Sequence, residues 1–187
     1  MTADQDQEFE RLLDTMKKAG GALTEAGIPF LLGGGLACWA RGAPRTEHDV
    51  DLLVKPEDAE LAQQTLVQAG MRPENPPEGW LLKVYDGDVL VDLIFDPQDG
   101  PVDDGVFERA EEIEVHAMRL RVASLEDVLV QKLLALSEQE PDYSSVLELA
   151  RSLREQVDWA NVRERTKGSP FAAAYFTLLE ELEIVRD

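Results

Sequence analysis

The chain is poor in sulfur and in histidine. Cys38 is the single cysteine among 187 residues, which excludes an intrachain disulfide and fits a reducing cytoplasm. With only His48 and His116 beside it, a structural zinc site of Cys and His ligands lacks donors. Basic charge is scarce as well: 18 Lys and Arg stand against 38 Asp and Glu, for a formal net charge of -20. Such a surface repels nucleic acid at long range and suits cationic or neutral partners, although Arg41, Arg45 and Lys132 could still form a local basic groove. Long apolar runs are missing. The stretch 28–40 is short and holds three glycines, so no membrane span is expected. The first ten residues are polar and acidic, unlike a signal peptide. No Gly-x-Ser-x-Gly occurs, and no Gly-Lys-Ser/Thr follows the glycines, which removes the hydrolase elbow and the P-loop. Leu36-Ala37-Cys38 fill the place where a dinucleotide fingerprint needs its later glycine. Cys38 falls on an apolar helix face and reads as an inert thiol. Nothing sets one carboxylate apart as the acid of a glycoside hydrolase.

What is present is enough for a proper core, since 44% of residues are hydrophobic. Phe9, Leu12, Leu13, Met16, Ala19 and Leu23 recur at helical spacing, and Gly27 with Pro29 closes that helix. A short strand over 28–32, a glycine turn, one or two helical turns over 36–41 and a strand over 49–54 follow. A helix over 59–69 ends at Gly70, and Pro73, Pro76, Pro77 and Gly79 predict a loop. Asp86-Gly87 joins strands over 80–85 and 89–95, residues 96–105 read as an acidic loop, and strands over 111–116 and 119–122 follow. Ser124 with Asp127 resembles a capping box, and three or four helices then run to Ile184, interrupted near Pro141, Asp158 and Gly168-Ser169-Pro170. The expected class is α/β (α+β): a small mixed twisted sheet flanked by helices, with a C-terminal helical part. The expected division is a core over 1–123 and a helical region over 124–187 packed on it.

The segment 31–54 carries the chemistry. Residues two apart in a strand face the same way, so Asp49 and Asp51 project together. Side-by-side carboxylates repel unless a cation lies between them, and Mg²⁺ (or Mn²⁺) prefers carboxylate oxygens plus substrate phosphates. Asp92 lies inside an otherwise aliphatic strand, a costly place for a charge that is neither paired nor metal-bound. If the two strands are neighbours, three carboxylates converge as metal-assisted displacement at phosphorus requires. Gly34 and Gly35 let backbone N–H groups approach a triphosphate. Lys132 is the only cation in an otherwise apolar or acidic stretch over 124–136, where either a phosphate partner or a snorkelling surface position accounts for it. Arg41 and Arg45 are further candidates for charge on a transferred phosphoryl group, and His48 reads as structural.

Strand, Gly34-Gly35, helix, Asp49-Val50-Asp51 and a later strand with Asp92 resemble the signature of the DNA polymerase beta-type nucleotidyltransferase superfamily over residues 28–95. Gly33 to Gly35, Ala37, Arg45, Thr46, His48, Asp49, Asp51 and Leu52 are similar to small aminoglycoside nucleotidyltransferases. The stretch 125–132 followed by Pro141-Asp142 resembles AbiEii/MenT-type toxin nucleotidyltransferases. The resemblance implies a metal-dependent, cytoplasmic transferase moving NMP from an NTP such as ATP to an acceptor hydroxyl. It implies Asp49, Asp51 and Asp92 as catalytic metal ligands. It implies Gly34, Gly35, Arg45 and Lys132 as nucleotide-binding groups, with Asp142 in support. Toxin-type relatives imply a tRNA 3′ end as acceptor and an antitoxin partner; the other branch implies a cationic antibiotic and a resistance role. A non-catalytic binding protein on the same scaffold is the alternative of another class.

Overall fold

The computed structural model describes residues 3–46, 49–74, 77 and 79–185. A seven-stranded mixed sheet forms its centre, so the α/β class expected from the sequence is the one found. Helix α1 spans Ala3–Glu25 and buries Phe9, Leu12, Leu13, Met16, Ala19 and Leu23, the residues of the helical periodicity. Gly27 (φ 70) follows in the left-handed conformation that lets the chain reverse into strand β1, Phe30–Leu32. The chain continues through α2 (Gly34–Trp39), β2 (Val50–Val54), α3 (Ala59–Gln68), β3 (Arg72–Glu74), β4 (Leu81–Asp86) and β5 (Val89–Ile94). Helix α4 (Asp104–Glu108), the hairpin β6 (Glu111–Val115) and β7 (Met118–Val122), and helices α5 (Leu125–Ala135), α6 (Ser144–Leu153), α7 (Trp159–Arg165) and α8 (Pro170–Glu181) complete it.

The strand order is β3-β4-β5-β2-β1-β7-β6. β2 pairs antiparallel with β1 and parallel with β5, which makes the two aspartate-bearing strands neighbours near the sheet centre. Alternation splits β2 and β5 between two faces. Val50, Leu52, Val91 and Leu93 point to the side covered by α1 and α3 and are fully buried. Asp51 and Asp92 point to the other side, where α2 and α5 stand.

A second apolar cluster gathers the C-terminal helices around the buried Tyr175, whose hydroxyl donates to the Val146 carbonyl at 2.8 Å. Helix α5 serves both clusters: Leu125 and Val128 belong to the sheet core, while Leu129, Val130 and Leu133 belong to the helical one. Among the described residues no helix is long and apolar enough to cross a membrane.

Two local expectations fail. The loop expected from Pro73 onward contains β3, and Pro73 is tolerated there because β3 is the sheet edge. The acidic loop after Asp96 contains α4, capped by the Asp103 carboxylate, which accepts from the Val106 N–H at 3.1 Å.

Candidate active site

The turn after β1 is shaped by what it must fit against. The Gly33 N–H donates to the Asp51 carbonyl at 2.9 Å and fixes the start of α2 beside β2. Gly34 has φ 51, and a Cβ there would lie 1.5 Å from Asp51 Oδ2. A Cβ on Gly35 would lie 2.5 Å from Thr46 Oγ1. Both glycines are therefore required by close approach, and the first N–H groups of α2 have no intrahelical acceptor.

Asp51 and Asp92 are directly opposed in the parallel β2–β5 register, and Asp49 stands one residue before β2. Carboxylate oxygens of Asp49, Asp51 and Asp92 all lie within 4.8 Å of one another. Burial, with the nearby charges of Asp49 and Asp92, pushes the Asp51 carboxyl up to about 7, against the pull of Lys132. Lys132 is the one cation among the causes acting on Asp51, and it does not offset burial and the two neighbouring acids. Three converging carboxylates form a donor set that a hard divalent cation fits.

A cleft of about 190 Å³ opens beside the cluster. Its lining combines Gly34, Asp51 and Lys132 with Trp80, Ile94, Val128 and Ala135. Lys132 has no carboxylate within ion-pair distance among the described residues. It lines the cleft because α5, distant in sequence, packs beside α2. Cys38 is buried below, and burial pushes its thiol up to about 11, the state of an inert core residue.

Other sequence candidates stand apart from this cluster. Arg45 pairs with Asp6 of α1 at 2.6 Å and lies over the Phe9 ring at 4.9 Å. It must give up Asp6 to turn toward a phosphate. The Arg41 side chain is buried and donates to the Ala37 and Val122 carbonyls, tying α2 to β7. Asp142 is exposed and accepts from the Ser144 N–H at 2.8 Å, a turn at the start of α6. In the acidic loop, Asp99 pairs with Arg165 and Asp104 with Lys55, so these charges are already used. His48 lies outside the described residues.

Sequence reasoning passed over Lys83. In the β4–β5 register it is directly opposite Asp92, and opposed residues share a face. The period-two alternation of β4 was legible, but the pairing partner of Lys83 was not. The cleft wall from Trp80, Val128, Gln131 and Ala135 was missed for the same reason, since it joins segments distant in sequence.

The family described as "Nucleotidyl transferase of unknown function (DUF2204)" matches residues 12–173, a span that holds every residue of the cleft and of the carboxylate cluster. A search of curated protein sequences finds no significant match. Among solved structures, the fold is similar to that of ANT(2″)-Ia, determined in complex with adenylyl-2″-tobramycin, with a TM-score of 0.66 and 17% identity over 87% of this chain and 98% of that one. TM1012 of Thermotoga maritima has a TM-score of 0.55 and 19% identity over 81% of this chain and 94% of its own. A nucleotidyltransferase-like antigen of Paracoccidioides brasiliensis has a TM-score of 0.54 and 15% identity, covering 97% and 93%.

Proposed function

Because the chain belongs to this nucleotidyl transferase family, we propose that it transfers a nucleoside monophosphate from an NTP to an acceptor hydroxyl at the Asp49–Asp51–Asp92 cluster, with Mg²⁺ or Mn²⁺. The observation that carries this reading is the cluster of three carboxylates, one of which, Asp51, lines a cleft together with Gly34 and Lys132. Asp49, Asp51 and Asp92 hold the metal, which when bound supplies positive charge to the phosphates and to the carboxylates.

The chain's own groups do the positioning. The N–H groups of Gly34 and Gly35 and the Lys132 ammonium receive the triphosphate, and Lys132 offsets charge that develops on the leaving pyrophosphate. Arg45 joins them once released from Asp6. Asp92 orients the acceptor hydroxyl and takes its proton as the acceptor oxygen bonds to the α-phosphorus and the bond to pyrophosphate breaks. The apolar wall of Trp80, Ile94, Val128 and Ala135 keeps water from the reacting phosphate. Two acceptor classes define the test: an RNA 3′ end, as in a toxin-type enzyme with an antitoxin partner, and a cationic aminoglycoside, which the net charge of -20 attracts.

The experiment incubates the protein with Mg²⁺ and each α-labelled NTP, with total tRNA or an aminoglycoside panel, and with Asp49→Ala/Asp51→Ala as control. Label is expected on an acceptor and absent in the control. An NTP at about a hundred times its dissociation constant is expected to stabilise the fold by about 2.7 kcal/mol. No thermal shift by any NTP together with no transfer would overturn the reading.

A further inference from the structure

The order of groups across the sheet constrains where the acceptor lies. The triphosphate side is the Gly34 turn next to β1 and β2, and Asp92 stands on β5, the next strand outward. In displacement at phosphorus the entering and leaving oxygens are roughly in line. With pyrophosphate departing over the Gly34 side, the acceptor enters from the opposite side, and its body lies over β4 and β3. Helix α3 packs on the other face of β4 and β3, and Arg72 and Glu74 of β3 are exposed.

The register defines what the acceptor meets there. Asp51, Asp92, Lys83 and Glu74 are opposed in one row across β2, β5, β4 and β3. Leu90, Tyr85 and Arg72 form the adjacent row on the same face. The Arg72 guanidinium lies 4.5 Å above the Tyr85 ring centre, which holds it flat on the sheet. Neither Lys83 nor Arg72 has a carboxylate within ion-pair distance among the described residues, although acids outnumber bases 38 to 18. Among the described residues ten arginines and lysines are in ion pairs and seven are not; of those seven, Lys132 lines the cleft with Asp51, while Lys83 and Arg72 share the face of Asp92 on the neighbouring strands. A cation kept out of ion pairs on so acidic a molecule suits an anionic ligand, and the planar guanidinium suits phosphate.

We infer that the acceptor is a hydroxyl compound carrying a phosphate beside that hydroxyl, and that Lys83 and Arg72 bind this phosphate. The inference rests on the nucleotidyl-transfer reading of Asp92. It names a phosphate that the end of an RNA or a small phosphorylated sugar can each supply.

The test offers α-labelled NTP and Mg²⁺ with three probes: total tRNA, ribose 5-phosphate and nucleoside 5′-monophosphates, and an aminoglycoside panel. Wild type, Lys83→Gln, Arg72→Gln and the double variant Lys83→Gln/Arg72→Gln are compared, and the thermal shift with NTP and Mg²⁺ is measured on each. Label is expected on a phosphate-bearing probe, with tRNA and the small phosphates distinguishing the source. The double variant is expected to lower kcat/KM for that probe by about tenfold or more, the scale of a lost charge-assisted contact, while its NTP shift is kept. The single Gln variants, on exposed or half-buried strand positions, are expected to fall between. Preferential labelling of aminoglycosides, or a phosphate-bearing probe labelled as well by the double variant as by wild type, would overturn the inference and leave nucleotidyl transfer standing. NTP binding with no label on any phosphate-bearing probe would overturn it too. Absence of any NTP shift in wild type would bring down the transfer reading itself, a different result.

Discussion

Two buried carboxylate centres in this molecule are solved in opposite ways. Asp127, on the first turn of α5, is 1% exposed. Burial pushes its carboxyl up, but Arg109, Ser124 and Arg165 bond it from three sides and hold it below the usual carboxylate range. Arg109 donates to both carboxylate oxygens, with Nη2 at 2.9 Å, Arg165 approaches to 2.7 Å, and the Ser124 hydroxyl donates at 2.8 Å. Asp51 has the opposite company: two carboxylates nearby and a single lysine at a distance. The Asp127 centre is complete within the protein and clamps α4, α5 and α7 together. The Asp51 centre is left short of positive charge. That shortfall marks it as a place for something from outside the chain.

The largest effect expected from this contrast concerns Asp51→Asn. It removes a metal-facing carboxylate, and transfer is expected to fall by about a thousandfold, the scale seen for loss of one group that stabilises developing charge. The melting temperature without metal is expected to hold or rise, because one repelling charge has gone. Radiolabel transfer and a thermal melt on the same preparation check both halves. A strongly destabilised variant would show that Asp51 is structural, like Asp127.

Asp127→Ala is the counterpart. It leaves Arg109 and Arg165 facing each other without their shared acid, and both are partly exposed. The expected loss is about 3 kcal/mol, the low end for breaking a buried ion pair. Chemical denaturation measures it, and NTP binding by the remaining folded protein is expected to persist.

A smaller effect tests the glycine turn. Gly34→Ala puts a Cβ 1.5 Å from Asp51 Oδ2 in a backbone with φ 51. The left-handed conformation costs about 1–2 kcal/mol, and the Asp51 carboxylate must turn away from the cluster. Stability and transfer are expected to fall together. A loss of stability with full activity would separate the turn from the site.

Part of this contrast was legible in the sequence. The alternation of Asp49-Val50-Asp51 put two carboxylates on one face, and the charge inside the aliphatic strand singled out Asp92, because side-chain direction in a strand follows from local geometry alone; that the two strands are neighbours was a condition of the reading, which the β2–β5 pairing meets. The Ser124–Asp127 cap was legible for the same reason. Lys83 opposite Asp92, Arg165 reaching Asp127 and Arg45 turning to Asp6 were not, because register and long-range docking depend on tertiary packing. Pro73 misled because an edge strand forgives a missing N–H.

Protons give the finest separation of the two centres. The folded Asp51 carboxyl is raised to about 7 from an ordinary 3.8, so the folded chain binds this proton more tightly than the unfolded one. Its stabilising contribution is full below about pH 4 and is lost as pH rises to about 7, by linkage. Asp127 has the reverse sign: its contribution is present above the ordinary carboxylate value and is lost as pH falls through the lowered one. Metal competes with the Asp51 proton, so stabilisation by Mg²⁺ is expected to grow between about pH 5 and pH 7 and then level off. Thermal melts from about pH 2 to pH 8, with and without Mg²⁺, check this, and Asp51→Asn is expected to flatten the Mg²⁺ effect while leaving the acid limb of Asp127 in place. Parallel curves for wild type and Asp51→Asn would mean that the cluster carries its charge without strain, and the distinction between the two centres would then lie in geometry alone.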